Sequence, residues 1–119
     1  LWVAYEDYGQ DVSVSDEMFQ RVSETYRRIR NTMRYLLGNM NDFDPKKDSI
    51  ELAQMPAIDR WALLKLDQLI RDCTAAYDSY NFFKVYHALN VFFTVDLSAT
   101  YLDILKDRMY TGKKNGVAR

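Results

Sequence analysis

Arg27, Arg30 and Arg34 stand at i, i+3 and i+7 in the stretch YRRIRNTMRYLLGN, residues 26–39. On a helix this spacing lines three guanidinium groups along one flank. Guanidinium groups hold phosphate or carboxylate oxygens in a fixed geometry, so the chemistry offered is anion binding rather than bond making. Asn31, beside them, can add a hydrogen bond to a phosphate or a sugar. Arg21 and Arg28 fall on another flank. From Arg21 to Arg34 five Arg meet one Glu, a local charge of +4, whereas the whole chain balances 16 Lys+Arg against 17 Asp+Glu. The pattern leaves two readings open. One is a ladder against a nucleic-acid backbone. The other is a solvated face, or salt bridges to Asp78, Asp103 or Asp107 on neighbouring helices.

The remaining reactive residue types do not assemble into an active site. His87 is the single histidine, and no motif ties a serine or cysteine nucleophile to it. It reads as a surface or hydrogen-bonded structural residue. Cys73 sits within an apolar stripe and reads as a small core residue. Asp103 and Asp107 are four apart, a spacing open to acid/base work. Lys106 and Arg108 interleave with them, which favours a charged face or interhelical salt bridges. Asp42, Asp44, Asp48 and Glu51 resemble a calcium loop that lacks the glycine needed at its sharp turn, so a solvated loop is expected. No Gly-rich phosphate loop or nucleotide fingerprint occurs. Neither a catalytic residue nor a metal site is therefore expected.

Helices must position these residues. Four Gly and two Pro in 119 residues are too few for a turn-rich sheet fold, so an all-α bundle is expected. Residues 1–14 read as irregular, with a turn at Gly9. Ser15-Asp16-Glu17 is a capped, acidic helix start. Val22, Tyr26, Ile29, Met33, Leu36, Leu37 and Met40 predict the buried stripe of that first helix, which ends near Gly38-Asn39. A loop over 42–56 leads to a second helix, about 57–80, with the stripe Ile58, Ala62, Leu66, Leu69, Cys73, Ala76, Tyr77 and Tyr80. Asn81 can cap a third, buried through Phe82, Val85, Tyr86, Leu89, Phe92 and Phe93. It is expected to continue as one long helix, bent near Asp96 and Ser98, through Leu97, Tyr101, Ile104 and Leu105 to about Met109. Asp96 then either caps a fourth helix or faces a partner as a buried acid. A basic loop, 111–116, follows.

The bulk numbers agree. An apolar fraction of 48% and a charged fraction of 28% are those of an ordinary globular domain. A net charge of −1 argues against a generic nucleic-acid coat protein without excluding a local basic face. One cysteine rules out a disulfide framework within the chain. No apolar run reaches the roughly 18 residues of a membrane span, so no membrane partner is expected. The apolar start Leu1-Trp2-Val3-Ala4-Tyr5 and the stop at Gly116-Val117-Ala118-Arg119 read as cuts through a larger polypeptide.

Several multi-residue blocks in order give a further expectation. They are Leu1-Trp2-Val3-Ala4 with Asp7-Tyr8, then Tyr26-Arg27-Arg28-Ile29-Arg30-Asn31-Thr32 through Leu36-Leu37, then Asp59-Arg60-Trp61. Asp96-Leu97-Ser98, Tyr101-Leu102-Asp103-Ile104 and Lys106-Asp107-Arg108-Met109-Tyr110 complete the series. Together they resemble the anticodon-binding domain of bacterial-type isoleucyl-tRNA synthetases over essentially the whole chain. Tyr5 and Phe83 are mild departures. The resemblance implies a helical bundle of the class I anticodon-binding type, incomplete at its C-terminus, over 15–119. Residues 1–14 would connect from a catalytic domain of the same polypeptide. It implies tRNA(Ile) as partner, a cytoplasmic setting, and a parent enzyme that uses ATP and magnesium. The chain itself lacks the HIGH-like and KMSKS-like motifs and needs no cofactor. The corresponding domain of a valyl- or leucyl-tRNA synthetase, and a helical protein-interaction module, are the alternatives. Helical phase, not the resemblance, selects Arg27, Arg30, Asn31 and Arg34 as the tRNA-binding residues.

Overall fold

A computed structural model describes residues 1–11, 14–113 and 116. Its elements are α1 (Trp2–Tyr5), α2 (Asp16–Asn39), a single 3₁₀ turn at Leu52–Gln54, α3 (Ala57–Asp78), α4 (Phe82–Val91), a π-wound segment (Phe92–Tyr101) and α5 (Leu102–Thr111). The described residues contain no strand, as the all-α expectation requires. The body is elongated, 53 × 29 × 22 Å.

The signals that bound α2 act as the sequence suggests. Ser15 lies in extended backbone, and its hydroxyl accepts from the Met18 N–H at 3.2 Å. Asp16 and Glu17 place negative charge at the positive end of the helix dipole. The N-terminal segment differs from expectation, because α1 makes one helical turn there. The Trp2 indole N–H reaches the Met18 sulfur at 3.2 Å, and its ring meets Phe19 at 5.4 Å, tying α1 to the start of α2.

The turn from α3 into α4 is tight. Tyr80 takes a positive φ of 56°, a conformation usual for glycine. The N–H of Asn81 returns to the Ala76 carbonyl at 2.8 Å and that of Tyr80 to Tyr77 at 3.0 Å, so the final carbonyls of α3 are satisfied. Asn81 precedes α4 as expected but makes no side-chain cap. Its amide donates to Ser79 instead.

From Phe82 to Thr111 the chain forms one helix of 30 residues. Its middle turns wide: the Ser98 and Thr100 hydroxyls donate to carbonyls five residues back, Phe93 and Val95. The buried apolar residues follow that winding, since Phe92, Leu97 and Leu102 recur every five positions. Where a bend near Asp96 and Ser98 was expected, the helix changes its period instead. Asp96 is a partly buried acid, and it meets Lys65 of α3 at 3.3 Å. By length and mean hydropathy (1.3) this helix could also cross a bilayer, which the sequence reading did not foresee. Here it is the central strut: α1 and α3 pack on α4, while α2 and α3 pack on the π-wound segment.

The core lies along that strut. Phe92, Leu97, Leu102 and Leu105 form its centre, flanked by Tyr35 and Leu36 of α2 and Leu69 of α3. Several expected core residues are outside it. Tyr26, Met33, Leu37 and Met40 are exposed, and Thr25 and Thr32 take the inward face of α2. Threonine fits there because each hydroxyl returns to the carbonyl four residues back, at Arg21 and Arg28. Thr32 also meets the Ser98 hydroxyl at 3.1 Å. Leu66 and Tyr77 of α3 are exposed for a simpler reason, that the strut meets only one side of α3; Tyr80, in the turn after α3, and Ile104 of α5 are exposed as well.

Candidate nucleic-acid interface

Helix α2 presents three kinds of surface. Val22, Thr25, Ile29, Thr32 and Leu36 turn toward the strut, buried or half-buried. On the opposite side Arg27, Arg30, Asn31 and Arg34 are all exposed. Between these faces runs a stripe of exposed Tyr26, Met33 and Leu37. At 1.5 Å per residue the arginine ridge is roughly 10 Å long.

The three ridge arginines make no ion pair among the described residues. The acids weighed as their partners do not reach them. Asp103 binds Lys106 at 2.8 Å within its own helix, and among the described residues neither Asp78 nor Asp107 enters an ion pair. On the other flank Arg21 differs, since it pairs with Glu17 at 2.5 Å. The ridge is therefore cationic surface whose hydrogen-bond donors are available to an outside anion.

A fourth arginine shows what the fold does with one it needs for itself. Asp59, in the first turn of α3, receives both Arg108 terminal nitrogens, Nη1 at 2.8 Å and Nη2 at 2.5 Å. The Tyr101 hydroxyl donates to the same carboxylate at 2.9 Å. Partial burial opposes charge on Asp59, yet the hydrogen bonds from Arg108 and Tyr101 outweigh it and hold the carboxyl below its ordinary range. Burial, reinforced by the adjacent carboxylate, pushes Tyr101 up to about 12. This clamp joins the start of α3 to the end of the strut across 49 residues of sequence. Sequence reasoning placed Arg108 among Asp103 and Asp107 and missed its partner. The available signal was an Asp in the first turn of one helix and an Arg in the last turn of another, each favoured by its helix dipole.

The other candidate reactive groups are accounted for structurally. His87 is exposed and lies against the rings of Tyr5 and Tyr86, at 6.0 and 5.7 Å. It borders a cleft of about 300 Å³ whose serine, Ser15, is committed to capping α2. Burial pushes the Cys73 thiol up, the direction of an inert thiol. In the loop, Asp48 accepts from the Asp44 N–H and Asp44 from the Lys46 N–H, so these carboxylates organise a turn. Of the basic loop expected over 111–116, residues 114 and 115 lie outside the described residues.

With this geometry in place, comparison with known proteins is informative. The family model described as "Anticodon-binding domain of tRNA ligase" matches residues 59–118, from the clamp's Asp59 through α5. The chain belongs to that family. The domain is also similar along its whole length, α2 included, to isoleucine–tRNA ligases. Identity is 52% to that of Petrotoga mobilis, 50% to that of Coxiella burnetii and 53% to that of Geobacter sulfurreducens. The domain spans 13% of the length of each. Both partners of the clamp fall inside the matched family region.

Proposed function

We propose that this domain holds tRNA(Ile) for an isoleucine–tRNA ligase, with Arg27, Arg30 and Arg34 on backbone phosphates and Asn31 on a phosphate or sugar oxygen. The observation that carries the reading is the ridge itself: three exposed guanidinium groups in line, none paired with a carboxylate among the described residues. The role is positioning. The ridge fixes the RNA by charge and hydrogen bonding, and the joining of isoleucine to tRNA, with ATP and magnesium, belongs to a catalytic domain of the same cytoplasmic polypeptide. Nothing in the domain's own chemistry calls for a cofactor.

Replacing Arg27, Arg30 and Arg34 together with Gln tests this reading. Binding of tRNA(Ile) is expected to weaken by roughly a hundredfold at low salt, and the slope of log K against log salt to flatten by about 2 to 3. Paired replacement of Arg21 and Arg28 is expected to do much less. If the triple variant keeps both affinity and slope, the ridge is not the RNA contact.

A further inference from the structure

Tyr26 carries the inference. Helical periodicity assigned it to the core, yet its side chain is 53% exposed. It sits one turn before Arg30 and next to Arg27, at the edge of the ridge. Several other exposed aromatics of the bundle have ring partners. Phe19 has Trp2 at 5.4 Å, and Tyr77 and Tyr80 meet Phe82 at 5.9 and 6.2 Å. Among the described residues Tyr26 enters no ring pair, nor do the exposed Tyr8, Phe43 and Tyr110, but of these four Tyr26 alone lies on α2 beside the ridge arginines.

A surface built only to grip a duplex backbone needs cations and hydrogen-bond donors. A free aromatic face beside them offers something a paired helix cannot use, because duplex bases are already stacked. Unpaired nucleotides have both a phosphate and an open base face, and proteins take them with basic residues and aromatic platforms together. We infer that Tyr26 stacks on one unpaired base of the bound RNA while Arg30 holds the adjoining phosphate. The inference rests on the ridge being the RNA contact. On one helix face Cβ atoms four residues apart are about 5–6 Å from each other, so a single nucleotide can meet both side chains. Charge favours RNA over a covering protein helix at this stripe. A helix laid on Tyr26 would desolvate Arg27 and Arg30 and would have to supply matching acids, whereas RNA brings phosphates with its bases.

The test uses the full chain and two RNA probes, a stem–loop and a blunt duplex with the same stem. In Tyr26→Ala, affinity for the stem–loop is expected to fall about tenfold. Affinity for the duplex, and the salt slope on both probes, should not change. Tyr26→Phe keeps the ring and should bind as the parent does. Tyr26→Leu keeps the apolar bulk without the π face and should bind as weakly as Tyr26→Ala, with far-UV circular dichroism confirming the fold. Unchanged stem–loop binding in Tyr26→Ala, an equal loss on both probes, or a Tyr26→Phe variant as weak as Tyr26→Ala would each overturn the stacking role. So would a Tyr26→Ala chain that binds RNA normally but loses self-association by light scattering, since the stripe would then be a protein contact. The ridge reading fails by a separate result, an Arg27→Gln/Arg30→Gln/Arg34→Gln chain that binds both probes as before.

Discussion

The arginines of α2 and the arginine of α5 are chemically identical and differently used. Arg108 is tucked against Asp59, its side chain 22% exposed and its partner's 18%, with a tyrosine hydroxyl closing the group. Arg27, Arg30 and Arg34 stand in solvent, without a carboxylate partner among the described residues. Residue type does not separate the clamped arginine from the open ones. What separates them is whether the fold brings an acid from another helix to the guanidinium; among the described residues it does so for Arg108, at the junction of α3 and α5, and leaves the ridge open.

The sharpest way to break this comparison is to remove the acid from the clamp. Asp59→Ala strands a half-buried Arg108 and is expected to cost about 3 kcal/mol in urea unfolding. Arg27→Gln, on the open ridge, should stay within about 0.5 kcal/mol. If the two variants unfold alike, the contrast between clamp and ridge does not hold.

A smaller effect comes from pH, which reaches the clamp through Asp59 and Tyr101. The Asp59 carboxyl is held below its ordinary value in the folded state. Its contribution is therefore complete above the unfolded value, roughly 4, and is lost as pH falls through the lower folded one. Tyr101 has the opposite sign. Raised from 10.0 to about 12, it contributes fully below pH 10 and loses that contribution as pH climbs toward 12. Stability measured across pH should decline at both ends. Tyr101→Phe should lack its share of the alkaline decline and keep the acid one; an unaltered alkaline decline would show that the Tyr101 proton is not linked to folding.

Local signals made much of the architecture legible in advance. A serine cap with two acids set the start of α2, and the apolar stripe from Ile58 onward marked α3. Contacts between distant elements were not legible. Nothing near Asp59 announces Arg108, because the pairing depends on where the long strut ends relative to α3. The phase of α2 was misread for a related reason. Side-chain polarity put Tyr26 and Met33 inside, but Thr25 and Thr32 return their hydroxyls to helix carbonyls and so become apolar enough to bury. The wide winding from Phe92 to Tyr101 also escaped a reading tuned to 3.6 residues per turn. In retrospect the five-residue recurrence of Phe92, Leu97 and Leu102 was its trace. The ridge was readable because an exposed flank needs only the phase of its own helix.

The smallest effect tests the join that keeps the ridge facing outward. Thr32 and Ser98 bring three hydroxyl contacts together: Thr32 to the Arg28 carbonyl at 3.0 Å, Ser98 to the Phe93 carbonyl at 2.7 Å, and the two hydroxyls to each other at 3.1 Å. Two hydroxyl hydrogens serve three contacts, so one hydrogen must be shared. Thr32→Val keeps the shape and removes that sharing. It is expected to cost about 1 kcal/mol, the net worth of one such bond. Since Thr32 lies one residue from Asn31 on the opposite face, the variant should also loosen the orientation of α2 on the π-wound segment. Hydrogen exchange should then quicken in α2 and around Ser98 but not at the Asp59–Arg108 clamp. Quickening at all three places would mean that ridge and clamp belong to one cooperative unit, and the two uses of arginine would then be coupled through the strut.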